Sequence, residues 1–167
     1  MRAGVMGKVE TERFDFDGGR NVSVFVPDQP PEAIVFAGDG QLIAQWGLDI
    51  EAAKLPATMV IGVHRLEDEE LRLHEYSPKF DPDRFSAHEH FIVQDVTTWI
   101  RSRFDLDLPV NRTAMFGVSA GGELALAMGM RHPERFGAIL SASPGAGYQP
   151  PEILAPPLPK TYLVGGT

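Results

Sequence analysis

Residues 113–122 read TAMFGVSAGG, and within them Gly117-x-Ser119-x-Gly121 sets a single serine between two glycines at the spacing of a nucleophile elbow. A short apolar run precedes the serine and a helical pattern follows it, so Ser119 belongs on a tight turn from strand to helix. Such a turn closes only if the residues two before and two after the serine lack bulk. The serine itself is pushed into a strained backbone conformation, with its hydroxyl proud of the sheet. The hydroxyl then lies at a helix N-terminus, where unpaired N–H groups and the helix dipole favour developing negative charge. The Ala120 N–H points to where an oxyanion would form. A glycine-rich turn that merely packs a helix close to a strand would explain the glycines alone. The strand before, the helix after and the further glycine at 122 favour a nucleophile.

Oxyanion stabilisation needs a second donor, usually from the loop after an earlier central strand. Here that loop is Gly38-Asp39-Gly40-Gln41, directly after Ile34–Ala37. Glycines on both sides of Asp39 let the backbone turn sharply and leave an amide free to face the site. A plain turn would have the same composition, and only its pairing with the Ser119 segment gives it a role.

The elements that would hold these loops can be read from the hydrophobic pattern. Residues 9–16 and 21–26 alternate polar and apolar around Asp17-Gly18-Gly19, which predicts an antiparallel hairpin with one wet face. Successive prolines at 30 and 31 end it. Short continuous apolar runs follow at Ala33–Ala37, Thr58–Val63, Thr113–Gly117, Ala138–Leu140 and Thr161–Val164. Strands apolar on both faces belong to a parallel sheet covered by helices on each side. Phe91, Ile92, Val96, Trp99, Ile100 and Phe104 form one helical stripe, and Leu124, Ala125 and Met128 form another. The alternation argues for a right-handed wound α/β sheet. Arg65–Phe85 has no clean period and reads as a long excursion over the carboxyl edge of the sheet, where α/β proteins place ligands. Trp46 and Trp99 read as core, and Glu67–Glu70 as a solvated acidic face.

A chain of 167 residues fits one domain, and 43% hydrophobic with 23% charged residues is an ordinary globular mixture that needs no staple. With no cysteine, disulfides, thiolate zinc sites and a cysteine nucleophile are excluded. A net charge of −8 repels phosphate backbones, so nucleic acid is not an expected partner. No secretory h-region and no apolar run of spanning length occur, so a cytoplasmic protein away from the membrane is the default. His88-Glu89-His90 lacks the i, i+4 spacing that puts two ligands on one helical face; no metal and no cofactor are expected.

Taken together, the strand ending in Asp39-Gly40, the segment Arg72-Leu-His-Glu-Tyr-Ser-Pro78, the GVSAGG elbow and His132-Pro-Glu-Arg-Phe-Gly137 followed by Leu140-Ser-Ala-Ser143 resemble the esterase D branch of the α/β-hydrolases. That branch includes enterochelin-type esterases, S-formylglutathione hydrolases, feruloyl esterases and mycolyltransferases. The resemblance implies a three-layer α/β-hydrolase sandwich, its mostly parallel sheet preceded by an antiparallel hairpin, with residues 1–167 a single domain incomplete at its C-terminus. It implies that Ser119 is acylated and that the backbone N–H groups of Ala120 and Gln41 hold the oxyanion. Arg72, Glu75 and Tyr76, with Asp39, would organise the loop beside the site.

A serine needs a histidine to take its proton and a carboxylate to hold that histidine, in the chain order serine, acid, histidine. No Asp, Glu or His follows Val164. Among the upstream histidines, His64 lies nearest the correct edge of the sheet, yet a satisfied or solvent-facing histidine is the simpler reading. His132, before Pro133, reads as a helix C-terminal residue. The expected function is therefore a serine ester hydrolase acting on a small-molecule ester, with acid and histidine from a complementing C-terminal segment or another chain, a homo-oligomer included. A catalytically inactive binding module and an acyltransferase are the alternatives. An incomplete parallel sheet exposes an unpaired edge, so a longer, cleaved protein or a complementing partner is expected.

Overall fold

The computed structural model describes residues 6–145, 148–154 and 156–166. Seven strands form one mixed sheet: β1 (Lys8–Phe14), β2 (Arg20–Val26), β3 (Ala33–Ala37), β4 (Thr58–Val63), β5 (Thr113–Val118), β6 (Ala138–Ala142) and β7 (Lys160–Val164). Their order across the sheet is β1-β2-β4-β3-β5-β6-β7. β1 pairs antiparallel with β2, and β2 antiparallel with β4; the remaining pairs are parallel.

Helices cover both faces, which is why the parallel strands read as continuous apolar runs. On one side lie α1 (Gly40–Ile43) and α2 (Trp46–Ala52), over Phe25, Ala37 and Val60. On the other lie α3 (Glu69–Tyr76), α4 (Pro82–His90), α5 (Thr97–Phe104) and α6 (Ala120–Arg131), over Val22, Val24, Ile34, Phe36, Ile61 and Met115. Burying each such side chain stabilises the fold by about 1.5–3 kcal/mol relative to exposure.

Four expectations need correction. The hairpin has a wet face only on β1: Val22 and Val24 enter one core layer while Phe25 enters the other, because β2 continues the sheet into β4. The 65–85 excursion is largely helical. Asp68 accepts hydrogen bonds from the Glu70 and Leu71 amides at the start of α3, and Asp81 accepts one from Arg84 N–H at the start of α4, where Pro82 opens the first turn. The helix read from Phe91 begins earlier, at Pro82, and passes through a π-helical turn at Phe91–Val96 that buries Phe91, Ile92 and Val93 in succession. His88 and His90 therefore sit at the end of α4. Trp99 packs partly buried against the core as read, whereas Trp46 is exposed and rests against Phe116.

α6 closes on α4 through charge. Glu89 accepts from Arg131 Nε at 2.6 Å and Nη2 at 3.1 Å, and pairs with His132 Nε2 at 2.7 Å. The Glu89 bond and then Glu134 raise the His132 pKa against partial burial. Burial opposes ionisation of Glu89, but His132 and Arg131 outweigh it and leave its pKa lowered. A raised histidine adds stability that is whole below its ordinary 6.5 and fades as pH climbs through the higher folded value. Glu89 adds stability that is whole above 4.5 and lost as pH falls through its lowered folded value. The melting-temperature difference between wild type and His132→Asn should therefore be greatest between about pH 4.5 and 6.5 and shrink as pH rises through the raised histidine pKa. A difference independent of pH would show that the ion pair contributes nothing.

Candidate active site

The carboxyl ends of β3, β5 and β6 each terminate in a residue with positive φ: Asp39 at 52°, Ser119 at 59° and Ser143 at 45°. Left-handed or strained non-glycine residues cluster where surrounding structure over-determines them, and the carboxyl edge of a parallel sheet is where α/β folds bind ligands.

Ser119 is exposed and has φ 59°, ψ −125° immediately before α6. Its N–H donates to the Ala142 carbonyl at 2.9 Å, and its own carbonyl accepts from the Gly122 and Glu123 amides at 2.9 and 3.2 Å. Those bonds leave the Ala120 and Gly121 amides as the orphan donors of the first helical turn. The glycine requirement is visible as contact: a Cβ on Gly117 would overlap the Gly121 carbonyl and come within 2.7 Å of the Gly122 nitrogen.

The turn after β3 is built differently. Asp39 takes the left-handed conformation, and its carbonyl accepts from the Leu42 and Ile43 amides at 2.8 and 3.0 Å, so the Gly40 and Gln41 amides remain as first-turn donors of α1. The Gln41 side chain clamps the segment after β4, accepting from the Arg65 N–H at 3.0 Å and donating to the Arg65 carbonyl at 3.3 Å.

Asp39 is the hub. Arg72 grips its carboxylate through Nε and Nη2, both at 2.9 Å; Tyr76 donates its hydroxyl to Oδ1 at 3.2 Å and accepts the Asp39 N–H at 2.7 Å. The other carboxylate oxygen lies 2.9 Å from where a Cβ on Gly121 would stand, so Asp39 rests against the start of α6 and couples the two turns. Burial and the Asp39 charge hold the Tyr76 phenol far above its ordinary pKa, so it stays a neutral donor. Burial disfavours the charge on Arg72, but the Asp39 carboxylate, with Tyr76 and Glu69, more than restores it. Glu75 faces the other way: it binds Arg20 of β2 bidentately at 3.0 and 2.8 Å, with side chains only 1% and 3% exposed. Glu75 thus anchors α3 to the sheet rather than to the two turns.

None of the five histidines lines the cleft onto which Ser119 opens. His64 bonds to Ser23 Oγ at 2.7 Å, across β2; burial and then Arg20 lower its pKa. His74 neighbours Glu70 and Asp81, His88 meets the Glu75 carbonyl, His90 is exposed, and His132 pairs with Glu89. Among the described residues no group of three or more His, Asp or Glu could hold a metal ion.

Ser119 and Ala120 open onto a cleft of about 380 Å³ walled by Leu73, Lys79 and Phe80 and reached by Glu123. Sequence reasoning passed over Glu123. Its signal was present: between Ser119 and Arg131 it is the lone charge in an otherwise apolar helix.

A mostly parallel sheet between helical layers, with a lone serine at the strained turn into α6, defines an α/β-hydrolase-type protein. The chain belongs to the esterase family described as "Putative esterase", which matches residues 17–151. The fold is similar to that of the BES protein from Bacillus cereus (TM-score 0.68, 19% identity, 87% of this chain and 64% of that one). It is similar also to the enterobactin esterase FES from Shigella flexneri (0.66, 21%, 82% and 37%) and to an IroE-like serine hydrolase from Shewanella oneidensis (0.63, 18%, 82% and 51%). The chain thus spans less than two thirds of the length of each. No curated protein matches it. No helix among the described residues is long and apolar enough to cross a membrane.

Proposed function

We propose that this protein is a serine carboxylic-ester hydrolase acting on a small-molecule ester, with residues 1–167 forming one domain that carries the nucleophile half of the machinery. The observation that carries this reading is the conformation of Ser119: an exposed hydroxyl at φ 59°, ψ −125°, in front of two unpaired helical amides. Ser119 Oγ attacks the ester carbonyl while its proton passes to a histidine. The Ala120 and Gln41 amides stabilise the resulting oxyanion. Its collapse breaks the ester C–O bond, the alcohol leaves with the proton, and water then releases the acid from the acyl-enzyme. Asp39, Arg72 and Tyr76 position the donor turn, and Glu75 holds their helix.

Histidine and acid come, in this reading, from residues beyond 167 or from another chain. Two observations support it: no histidine borders the cleft, and β7 presents Tyr162, Leu163 and Val164 to solvent along an unpaired parallel edge. For residues 1–167 by themselves, a cleft that no histidine lines favours the second reading, a binding module that keeps the cleft without turnover. Acyl transfer to an alcohol uses the same acyl-enzyme and is separated by competing acceptor alcohols with water.

A fluorophosphonate probe tests the proposal. Mass spectrometry is expected to find the label on Ser119 in the complete polypeptide, or in residues 1–167 supplied with the complementing segment, and little label on residues 1–167 alone. A Ser119 that stays unlabelled in every form would overturn the esterase reading.

A further inference from the structure

We propose that Glu123 is a specificity determinant that selects esters whose short acyl chain ends in a hydrogen-bond donor, an ammonium or a hydroxyl. The inference rests on the esterase reading of Ser119 and names the substrate class for that site.

Glu123 lies one helical turn beyond Ser119, and its amide donates to the Ser119 carbonyl at 3.2 Å. Glu123 and Ser119 line the same cleft. The residue is 3% exposed, and among the described residues Oε1 has no hydrogen-bond partner. The other oxygen lies close under the loop after β6, 3.0 Å from where a Cβ on Gly145 would stand.

The fold gives no reason for a carboxyl there. Among the described residues no arginine or lysine lies within ion-pair distance of it, in contrast to Asp39, Glu75 and Glu89, the other buried acids among them. A buried acceptor without a partner destabilises the protein, a cost that an apolar residue at this position would not carry. A ligand that brings a donor removes that cost on binding, whereas an alkyl ligand leaves it in place. Leu73 and Phe80 supply the apolar walls for the methylene part of the chain. The acyl group is the part that stays bonded to Ser119 through both half-reactions, so it is the part that must occupy the space over Glu123. The carboxyl accepts a hydrogen bond from the chain terminus and takes no part in the covalent steps.

The test compares p-nitrophenyl esters of 3-aminopropanoic, 3-hydroxypropanoic and butanoic acids, which differ at the terminal atom, in the complete polypeptide. The intrinsic reactivity of each ester cancels when wild type and variant are compared on the same ester. In wild type, kcat/KM for the amino and hydroxy esters should exceed that for the butanoyl ester by about tenfold to a hundredfold beyond the preference left in Glu123→Leu. Glu123→Leu should raise butanoyl turnover. Glu123→Gln, which keeps the size and one acceptor oxygen and is the safer variant to fold, should lose the preference for ammonium over hydroxyl while retaining part of the preference for hydroxyl over methyl.

Butanoyl turnover with the same ratios in wild type, Glu123→Leu and Glu123→Gln would overturn the inference and leave the esterase reading standing. An equal loss on all three esters would show a packing role and overturn it as well. If no ester turns over and fluorophosphonate does not reach Ser119, the esterase reading falls and this inference falls with it.

Discussion

Ser119→Ala is expected to lower ester hydrolysis by the complete protein by at least about a thousandfold, with the fold's stability changed by no more than a few tenths of a kcal/mol. The asymmetry follows from position. The serine is exposed, and the bonds that hold the turn come from its backbone N–H and carbonyl, which alanine keeps. What alanine removes is the atom that, in the proposed reaction, becomes acylated. Without it, oxyanion donors and cleft can only accelerate direct attack by water, which is a far slower route. Ser119→Gly separates function from strain more sharply. A side chain at φ 59°, ψ −125° costs about 1–3 kcal/mol, whereas glycine adopts the conformation freely and gives back about 0.5–1 kcal/mol in backbone entropy. The glycine variant should therefore be as inactive as the alanine variant yet more stable than wild type in urea denaturation. Retained hydrolysis in either variant would place the nucleophile elsewhere, and a destabilised glycine variant would show that the turn stores no strain.

The turn around Ser119 was legible in the sequence because its constraint is local. Gly117 and Gly121 are needed by atoms four residues apart, and a strand pattern and a helix pattern flank them. The parallel strands were legible for the same kind of reason, since apolar runs of five or six residues leave few alternatives. α3 was not legible because its polarity is inverted. Arg72, Glu75 and Tyr76 point inward to partners on β2 and the β3 turn, while Leu71 and Leu73 stand 37% and 36% exposed. A periodicity that looks for an apolar inner face finds nothing there. The caps at Asp68 and at Asp81-Pro82 were the local signals that would have found α3 and α4. The partners of those inward charges were beyond local reading. Arg20 and Glu75 are separated by 55 residues, Asp39 and Arg72 by 33, and only the assembled sheet brings them together. The resemblance to esterases pointed to Arg72, Glu75 and Tyr76 as organisers of the loop; Arg72 and Tyr76 bond to the Asp39 carboxylate, whereas Glu75 bonds to Arg20.

That carboxylate gives the second large effect. Arg72→Met is expected to cost about 3–5 kcal/mol of stability, because it leaves Asp39 buried without its counter-charge. Methionine retains much of the arginine stem, so lost packing is a minor part. Tyr76 still donates to Oδ1 and Arg65 stands 3.9 Å away, but neither replaces two parallel bonds of 2.9 Å. Lysine should fare little better, since a point charge cannot reproduce the bidentate grip. Adding Asp39→Asn to Arg72→Met removes the stranded charge and should recover a substantial part of the loss, a non-additivity that identifies the pair as the cause. The site should report the same event. Asp39 lies between the donor turn of α1 and the first turn of α6, so its movement toward water displaces the Gln41 amide relative to Ser119. The single variant should label with fluorophosphonate more slowly even at a urea-free temperature where it remains folded. A loss below about 1 kcal/mol, or purely additive single and double variants, would mean that the Asp39–Arg72 pair is no more than a surface salt bridge in its energetics. Undiminished labelling in a destabilised variant would detach the hub from the chemistry, leaving α3 a strut for the sheet alone.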